Sequence, residues 1–235
     1  MTILVTGGTG TLGRDVVRAL PEARVLSRSS GETRGDLLTG AGLADALAGV
    51  TVVVHCATTL GRKDVAATEN LVAAARRAGS PHLVYISIVG VDRVPLPYYR
   101  AKLAVERLIE ASGLPYTILR ATQFHQLIAK LFDMQRLLLL YPSFSFQPVD
   151  TETVARRLAE LAAGPAQGRV PDLGGPTVRT ARDLAGQYLA ATGKRAVRVP
   201  VRLPGKTFAA YRRGDHLAPD HADGKVEFAA YLADR

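Results

Sequence analysis

The stretch Thr6-Gly7-Gly8-Thr9-Gly10-Thr11-Leu12-Gly13 follows the apolar run Ile3-Leu4-Val5 and opens a helical pattern from Leu12 to Leu20. With a strand before it and a helix behind it, a glycine loop reads as a phosphate cradle. Gly7 permits the tight turn, Gly10 lets the backbone approach a pyrophosphate, and Gly13 lets the helix pack close to the strand. The first N–H groups of the helix and the positive end of its dipole then face the anion. The backbone from Gly7 through Thr9, Gly10, Thr11, Leu12 and Gly13 is therefore expected to hold a dinucleotide. The bland alternative is an ordinary glycine-rich turn.

Outward from this loop, strand and helix signals alternate. Pro21 stops the first helix, and Ala23 to Ser27 reads as a second strand. A short third strand is expected to end at Asp36. Leu43 to Leu47 is a brief helix with Gly49 at its end. Val50 to Val54 is a β-branched run of the kind buried on both faces of a parallel sheet. Asp64 to Ala78 is helical, His82 to Ser87 a fifth strand, Tyr98 to Ser112 a helix and Tyr116 to Leu119 a sixth strand. Such alternation predicts an α/β fold of right-handed βαβ units, a doubly wound parallel sheet.

After Arg120 the rhythm changes. Gln123 to Leu140 reads as one long amphipathic helix, and Thr151 to Ala163 as another, stopped by Gly164-Pro165. Arg195 to Leu203 alternates, with Val197, Val199, Val201 and Leu203 on one face, as a strand with one solvated side does. Two short helical stretches finish the chain. No linker is long enough to part independent domains, so residues 1–235 read as a single domain. Its core runs to about residue 122, and a small C-terminal α+β lobe from about 123 packs over the sheet's carboxyl edge, where ligands of such folds bind.

The 235 residues can bury a substantial core, and 47% hydrophobic with 22% charged side chains is the balance of a globular protein. One cysteine, Cys56, excludes an internal disulfide and a multi-thiolate zinc site. The longest apolar run near the middle, Leu137 to Leu140, is far short of the roughly 20 residues a membrane span requires. Strand-like residues from Thr2 leave no room for a signal peptide, so a cytoplasmic protein without membrane contact is expected. Thirty basic against 21 acidic side chains give a net charge of +9. The charges are scattered, however, and the basic stretch from Lys194 to Arg213 carries only Phe208 and Tyr211 as aromatics, poor grounds for nucleic acid.

The G-x-x-G-x-x-G spacing resembles the loop of extended and atypical short-chain dehydrogenases/reductases, particularly the NmrA-like, NAD(P)H-binding branch. The resemblance continues through Gly35-Asp36, Val53-Val54-His55-Cys56-Ala57, Asn70, Tyr85-Ile86-Ser87, Tyr98-Tyr99-Arg100-Ala101-Lys102 and Leu119-Arg120-Ala121-Thr122-Gln123-Phe124. It extends to Gln147-Pro148-Val149-Asp150 and Leu173-Gly174-Gly175-Pro176, so it spans essentially the whole chain. It implies a Rossmann-type fold. It places Asp36 and Leu37 beside the adenine, Ala57, Thr58 and Thr59 along the nicotinamide ribose, Ala121 on the cofactor, and Phe124 and His125 on the substrate side.

The end of the second strand chooses between the nicotinamide cofactors. NAD binders place a carboxylate there for the ribose 2′-OH. Here Ser27-Arg28-Ser29-Ser30 carries no acid. Arg28 can pair with a 2′-phosphate and the hydroxyls of Ser27 and Ser29 can donate to it, so NADP(H) is favoured over NAD(H). The alternative is one more exposed arginine.

Tyr98 and Lys102 form a Y-x-x-x-K pair on one face of a predicted helix. The resemblance implies that the Tyr98 hydroxyl passes a proton as hydride moves. A nearby Lys102 ammonium would lower the tyrosine pKa and could bond the nicotinamide ribose. Tyr99 faces elsewhere and packs. Relatives add a serine or threonine after the fifth strand, yet Ser87 is followed by Ile88. Either Ser87 takes that catalytic place or the site lacks its third member. His55 and Cys56 end a buried strand and read as packing. No second histidine or carboxylate stands at a zinc-ligand spacing from His125, so no metal is expected. Phe124, Phe132, Tyr141, Phe144 and Phe146 either line an apolar pocket or form the lobe's own core.

These readings lead to an NADPH-dependent oxidoreductase, monomer or homodimer, reducing a small carbonyl, enone or quinone-like substrate with Tyr98 as proton donor. The rival is an NmrA-like redox sensor that binds NADP(H) and reports to a protein partner; Ile88 favours it, and the Tyr98–Lys102 pair favours the enzyme.

Overall fold

The computed structural model describes residues 1–29, 31 and 33–235. In chain order the elements are β1 (Ile3–Thr6), α1 (Thr11–Ala19), β2 (Arg24–Leu26), α2 (Leu43–Ala46), β3 (Val52–His55), α3 (Lys63–Arg77), β4 (His82–Ile88), α4 (Pro97–Glu110) and β5 (Tyr116–Ala121). Then follow α5 (His125–Asp133), β6 (Leu138–Pro142), β7 (Ser145–Phe146), α6 (Thr151–Ala163), β8 (Gly168–Arg169) and β9 (Arg179–Thr180). The chain ends through α7 (Ala181–Thr192), β10 (Val197–Val201), α8 (Lys206–Arg213), a 3-10 turn at Pro219–His221 and α9 (Phe228–Ala233). Two compact units result. Unit 1 comprises Met1–Ser87, Pro97–Arg120 and Val154–Pro171; unit 2 comprises Ile88–Leu96, Ala121–Thr153 and Asp172–Arg235.

The central sheet has the order β2-β1-β3-β4-β5-β8. Its pairings are parallel, Val5 facing Val25 on one side and Val54 on the other. This is the expected doubly wound α/β sheet. Strands β1 and β3 are buried at every position, as runs covered on both faces must be. Alternate residues serve opposite faces. Leu4, Val53, Leu83, Tyr85 and Ile118 pack with Leu43 and Leu47 around α2, Leu71 and Ala75 of α3, and Val105 and Ile109 of α4. Pro97 at the first position of α4 costs no helical hydrogen bond, and α3 carries Asp64 in its first turn and Arg76 and Arg77 in its last, charges that suit its dipole. Arg120 on β5 and Glu106 on α4 form a buried two-point pair, Nε to Oε1 at 2.9 Å and a second nitrogen to Oε2 at 2.6 Å.

Two expectations fail. The third strand toward Asp36 does not form: Ser27 and Arg34 make one isolated bridge, and the chain turns at once, Asp36 Oδ1 accepting from Leu38 N at 2.7 Å. The Asn70 amide of α3 holds that turn by donating to the carbonyls of Leu37 and Leu38. The long helix over Gln123–Leu140 is the second failure. α5 stops at Asp133, and Gln135 turns the chain: its amide donates to Leu131 O at 3.0 Å and its Oε1 accepts from Leu140 N at 2.7 Å. The apolar run that follows alternates exposed and buried as β6, paired in parallel with β10.

Unit 2 has its own core. Ile128, Ala129 and Phe132 of α5 pack with Leu139, Tyr141, Phe146, Leu184, Tyr188 and Phe228. Phe132, Tyr141 and Phe146 thus belong to this core, and Phe144 packs against it. Helix α7 went unread in the sequence, although Thr180 caps it by accepting from Asp183 N and Gly193 ends it in the left-handed region at φ 66°. Among the described residues, no helix is long and apolar enough to cross a membrane.

Candidate active site

The strand order reverses at β1, whose neighbours are β2 and β3, and ligands of open α/β sheets enter at such a switch point. The loops leaving β1 and β3 touch there. Gly7 has φ +72°, and a Cβ on it would lie 2.6 Å from the backbone N and Cα of Ala57. A Cβ on Gly13 would lie 2.0 Å from Gly7 O, so α1 packs directly on the turn. Gly10 differs: its added Cβ would meet only Gly7 O, at 3.2 Å, and otherwise open space. Helix α1 starts after Gly10 with no side-chain cap and no acid in its first turn. Its first N–H groups, at Thr11, Leu12 and Gly13, therefore point outward with no helical acceptor. The cradle fits a pyrophosphate by this test, since backbone can approach where a side chain would stand. Thr9 lends its carbonyl to Arg14 Nε at 2.9 Å, which braces the loop.

Arg28 is exposed and has no hydrogen bond or ion pair among the described residues. Ser27 Oγ accepts from Ser29 N at 3.4 Å, while Ser30 lies outside the described residues. Asp36 and Leu37 form the turn held by Asn70, which gives their place in the fold.

Beyond β3, Ala57 is followed by Thr58 and Thr59, which are pinned by Asp64 at the start of α3. Its Oδ2 accepts from Thr58 Oγ1 at 2.6 Å, and its Oδ1 accepts from the Thr59 hydroxyl at 2.7 Å and the Thr59 N–H. Tyr98 reaches this loop: its hydroxyl lies 3.4 Å from Thr58 Oγ1. Burial pushes the Tyr98 phenol above its ordinary value, the Thr58 contact works against that rise, and the Asp64 charge adds to it more weakly.

Lys102 differs from expectation. It is buried, donates to Ile86 O at 3.2 Å and lies 4.7 Å from the centre of the Tyr85 ring. Burial lowers its pKa to about 8, against the opposing charges of Asp64, Cys56 and Glu106. It does not lower the Tyr98 pKa, which is raised. The i and i+4 positions share a helix face, but the long lysine stem carries its ammonium down to the strand. Tyr99 is buried, as a packing residue is.

Ser87 is 2% exposed and its hydroxyl has no partner among the described residues. A buried donor left unpaired costs about 1–3 kcal/mol, which a ligand oxygen would relieve. His55 is a packed histidine. Thr68 donates its hydroxyl to Asp64 O at 2.8 Å, so Thr68 Oγ1 accepts from His55 Nε2 at 3.1 Å, and Nδ1 accepts from Thr6 Oγ1 at 2.6 Å. The carboxylate of Asp64 and the ring of Tyr85 were missed in the sequence; the acid in the first turn of a helix, five residues beyond Thr59, was the available signal.

Ala121, Phe124, His125 and Ile88 lie in unit 2. Ala121 is buried, and its carbonyl accepts from Val89 N at 3.0 Å. Phe124 is half-buried and bridges Val149 as α5 begins. His125, expected on the substrate side, is fully buried: Nε2 meets Val226 O at 2.9 Å and the ring stacks on Tyr231 at 5.1 Å. It serves the core of its unit. Ile88 is half-buried and brings no hydroxyl.

The NAD(P)H-binding family matches residues 7–163. The chain belongs to that family. It stands in the reductase branch, as the resemblance implied. A reductase of (4-alkanoyl-5-oxo-2,5-dihydrofuran-3-yl)methyl phosphate from Streptomyces griseus is 30% identical over 212 residues, covering 82% of this chain and 74% of that protein. Photosystem II assembly factor Ycf39 of Cyanophora paradoxa is 29% identical over 232 residues, 86% of this chain and 72% of the factor. Of some other curated relatives the chain spans about half the length. The fold is also that of the NADPH-dependent quinone oxidoreductase of Escherichia coli in complex with NADPH, with a TM-score of 0.82 at 18% identity over 99% of each chain.

Proposed function

We propose that this chain reduces a small carbonyl, enone or quinone-like substrate with NADPH, and that Tyr98 gives the proton. The observation that carries this reading is the bond from Tyr98 to Thr58, because Thr58 lies one residue beyond Ala57, which abuts Gly7 of the phosphate cradle. The proton donor and the dinucleotide loop thus meet at one strand end. When bound, NADPH supplies the hydride. Gly7 and Thr9 to Gly13 hold its pyrophosphate, Arg28 with Ser27 and Ser29 its 2′-phosphate, and Asp36 and Leu37 the adenine end. Thr58 and Thr59 line the ribose side. The unpartnered Ser87 hydroxyl is the group available to a substrate oxygen. Lys102 works from below, bracing Ile86 rather than tuning Tyr98.

The test is NADPH oxidation against quinones, enones and aromatic ketones, with Tyr98→Phe alongside. Turnover that falls about 100-fold in the variant with unchanged NADPH affinity is expected, the size of a lost general acid. Turnover equal to the parent's defeats the assignment of Tyr98. Arg28→Ala is expected to weaken NADPH binding about tenfold, the loss of one charge-assisted pair, and to leave NADH unaffected. Equal losses for both defeat the 2′-phosphate assignment.

A sensor remains the second reading, favoured by Ile88 and by the Lys102 ammonium lying on Tyr85 and Ile86. A relative named as an assembly factor is consistent with it. Tight NADPH binding without turnover on any of the panel selects it.

A further inference from the structure

We propose that Asp64 is the positioning residue of this site, holding Tyr98 through Thr58 as a protonated donor. The inference rests on the reductase reading for its purpose, and on hydrogen-bond accounting for its geometry. Asp64 is 4% exposed and stands in the first turn of α3. Its carboxylate is occupied by three donors, the hydroxyls of Thr58 and Thr59 and the N–H of Thr59. Its carbonyl accepts from Thr68, whose oxygen takes the His55 ring N–H. The carboxylate is therefore fixed from behind by a bonded core and in front by the loop it holds.

The hydroxyl of Thr58 has one proton and two lone pairs. The proton goes to Asp64 Oδ2 at 2.6 Å. One lone pair accepts from Leu60 N at 3.0 Å. The only remaining capacity of that oxygen is acceptance, so in the contact at 3.4 Å Tyr98 is the donor. The reverse arrangement, with Thr58 donating to Tyr98, would strip a buried carboxylate of a charge-assisted bond. Tyr98 is thus held as a neutral phenol with its proton placed at the loop.

The groups facing this phenol agree. Asp64 comes from α3, Tyr85 from β4 stays un-ionised because burial pushes it well above its ordinary value, and Lys102 on the same helix spends its ammonium on Ile86 O. Burial is the larger cause of the Tyr98 rise, and Asp64 is the charge that adds to it. In the reduction the bond from Tyr98 Oη to its proton breaks and a bond from that proton to the substrate oxygen forms, while hydride is delivered to the substrate carbon and the dinucleotide is oxidised. Water reprotonates the phenolate, since Tyr98 is half-buried.

The experiment is an ultraviolet titration of tyrosinate absorbance in the full chain without added dinucleotide, with circular dichroism to establish folding. The titration step absent from Tyr98→Phe belongs to Tyr98. Asp64→Asn removes the charge and keeps one of the two acceptor oxygens, and it is expected to move that step downward. Where a substrate has been found, the alkaline limb of kcat/KM moves down with it while NADPH affinity holds. Thr58→Val is the second variant, in case Asp64→Asn does not fold. It cuts the link while keeping the Asp64 carboxylate and is expected to lower kcat, or, lacking a substrate, to change the Tyr98 step. A Tyr98 step unmoved in every folded variant overturns the proposal. A step that moves in a protein that never oxidises NADPH upholds the positioning and defeats the reductase reading. Turnover with an unmoved step does the reverse.

Discussion

In unit 1 the buried His55 has both ring nitrogens bonded, to Thr6 and Thr68, whereas in unit 2 the buried His125 and His216 each leave Nδ1 without a partner. The same contrast runs through the rest of the two units. Apart from the Tyr85 and Ser87 hydroxyls, unit 1 ties its buried polar groups in short sets: Arg120 on Glu106, Asp64 on Thr58 and Thr59. Unit 2 relies on side chains that reach backbone groups far along the chain. Gln123 donates to His216 O, and Gln147 donates to the carbonyls of Gly175 and Ala218 while accepting from Ala218 N. Regular βα units satisfy most of their own backbone, so unit 1 needs few such ties. The irregular segments of unit 2, including the turn from Leu173 to Pro176, are held by them. Gly175 shows how closely: a Cβ there would lie 1.8 Å from Pro148 O.

The largest test of this contrast is Glu106→Leu. It leaves the Arg120 guanidinium buried without its carboxylate, and about 3–5 kcal/mol of stability should be lost in urea unfolding. Adding Arg120→Met should recover most of it, because an apolar pair of similar volume needs no partner. If the single variant loses under about 1 kcal/mol, the pair is not a closed set and unit 1 is no different in kind.

Acid comes next. Burial holds His55 neutral down to a pKa of about 3 and His216 to about 4. Unfolded histidine takes its proton near 6.5, at about that pH. The unfolded chain therefore binds more protons below that pH, and stability should fall as pH drops from about 6.5 toward 4, by about 3 kcal/mol for each histidine. Denaturant midpoints between pH 7 and 4 measure it. His216→Gln should remove the share of His216 and leave those of His55 and of His125, which burial also lowers. An unchanged pH slope in that variant would show that His216 is not held neutral.

Gln147→Ala is the smallest change, expected to cost about 2 kcal/mol by leaving Gly175 O and Ala218 N without the Gln147 amide. Hydrogen exchange should rise at the backbone N–H of Ala218 and its neighbours while the amides of β1 and β3 stay protected. Protection lost equally in both units would mean that they unfold as one, and the comparison would dissolve.

The difference between the units also governs what could be read in advance. By itself the sequence determined the glycine loop, the order of strands and helices through β5 apart from the strand toward Asp36, the bounds of α6 and the family to which the chain belongs. Those features depend on local periodicity, on glycines where a Cβ cannot stand, and on helix ends with their own signals. The tertiary structure decided the rest. The stretch Leu137 to Leu140 is as apolar as a helix seam, and only pairing with β10, together with the Gln135 bridge, makes it a strand. β8 joins the central sheet beside β5 through two residues that carry no strand signal of their own. Lys102 shares a helix face with Tyr98, yet its ammonium belongs to Ile86 and Tyr85, and Tyr98 answers to Asp64. Spacing along a helix fixes where a stem begins, while the buried charges and acceptors around it decide where its polar end goes.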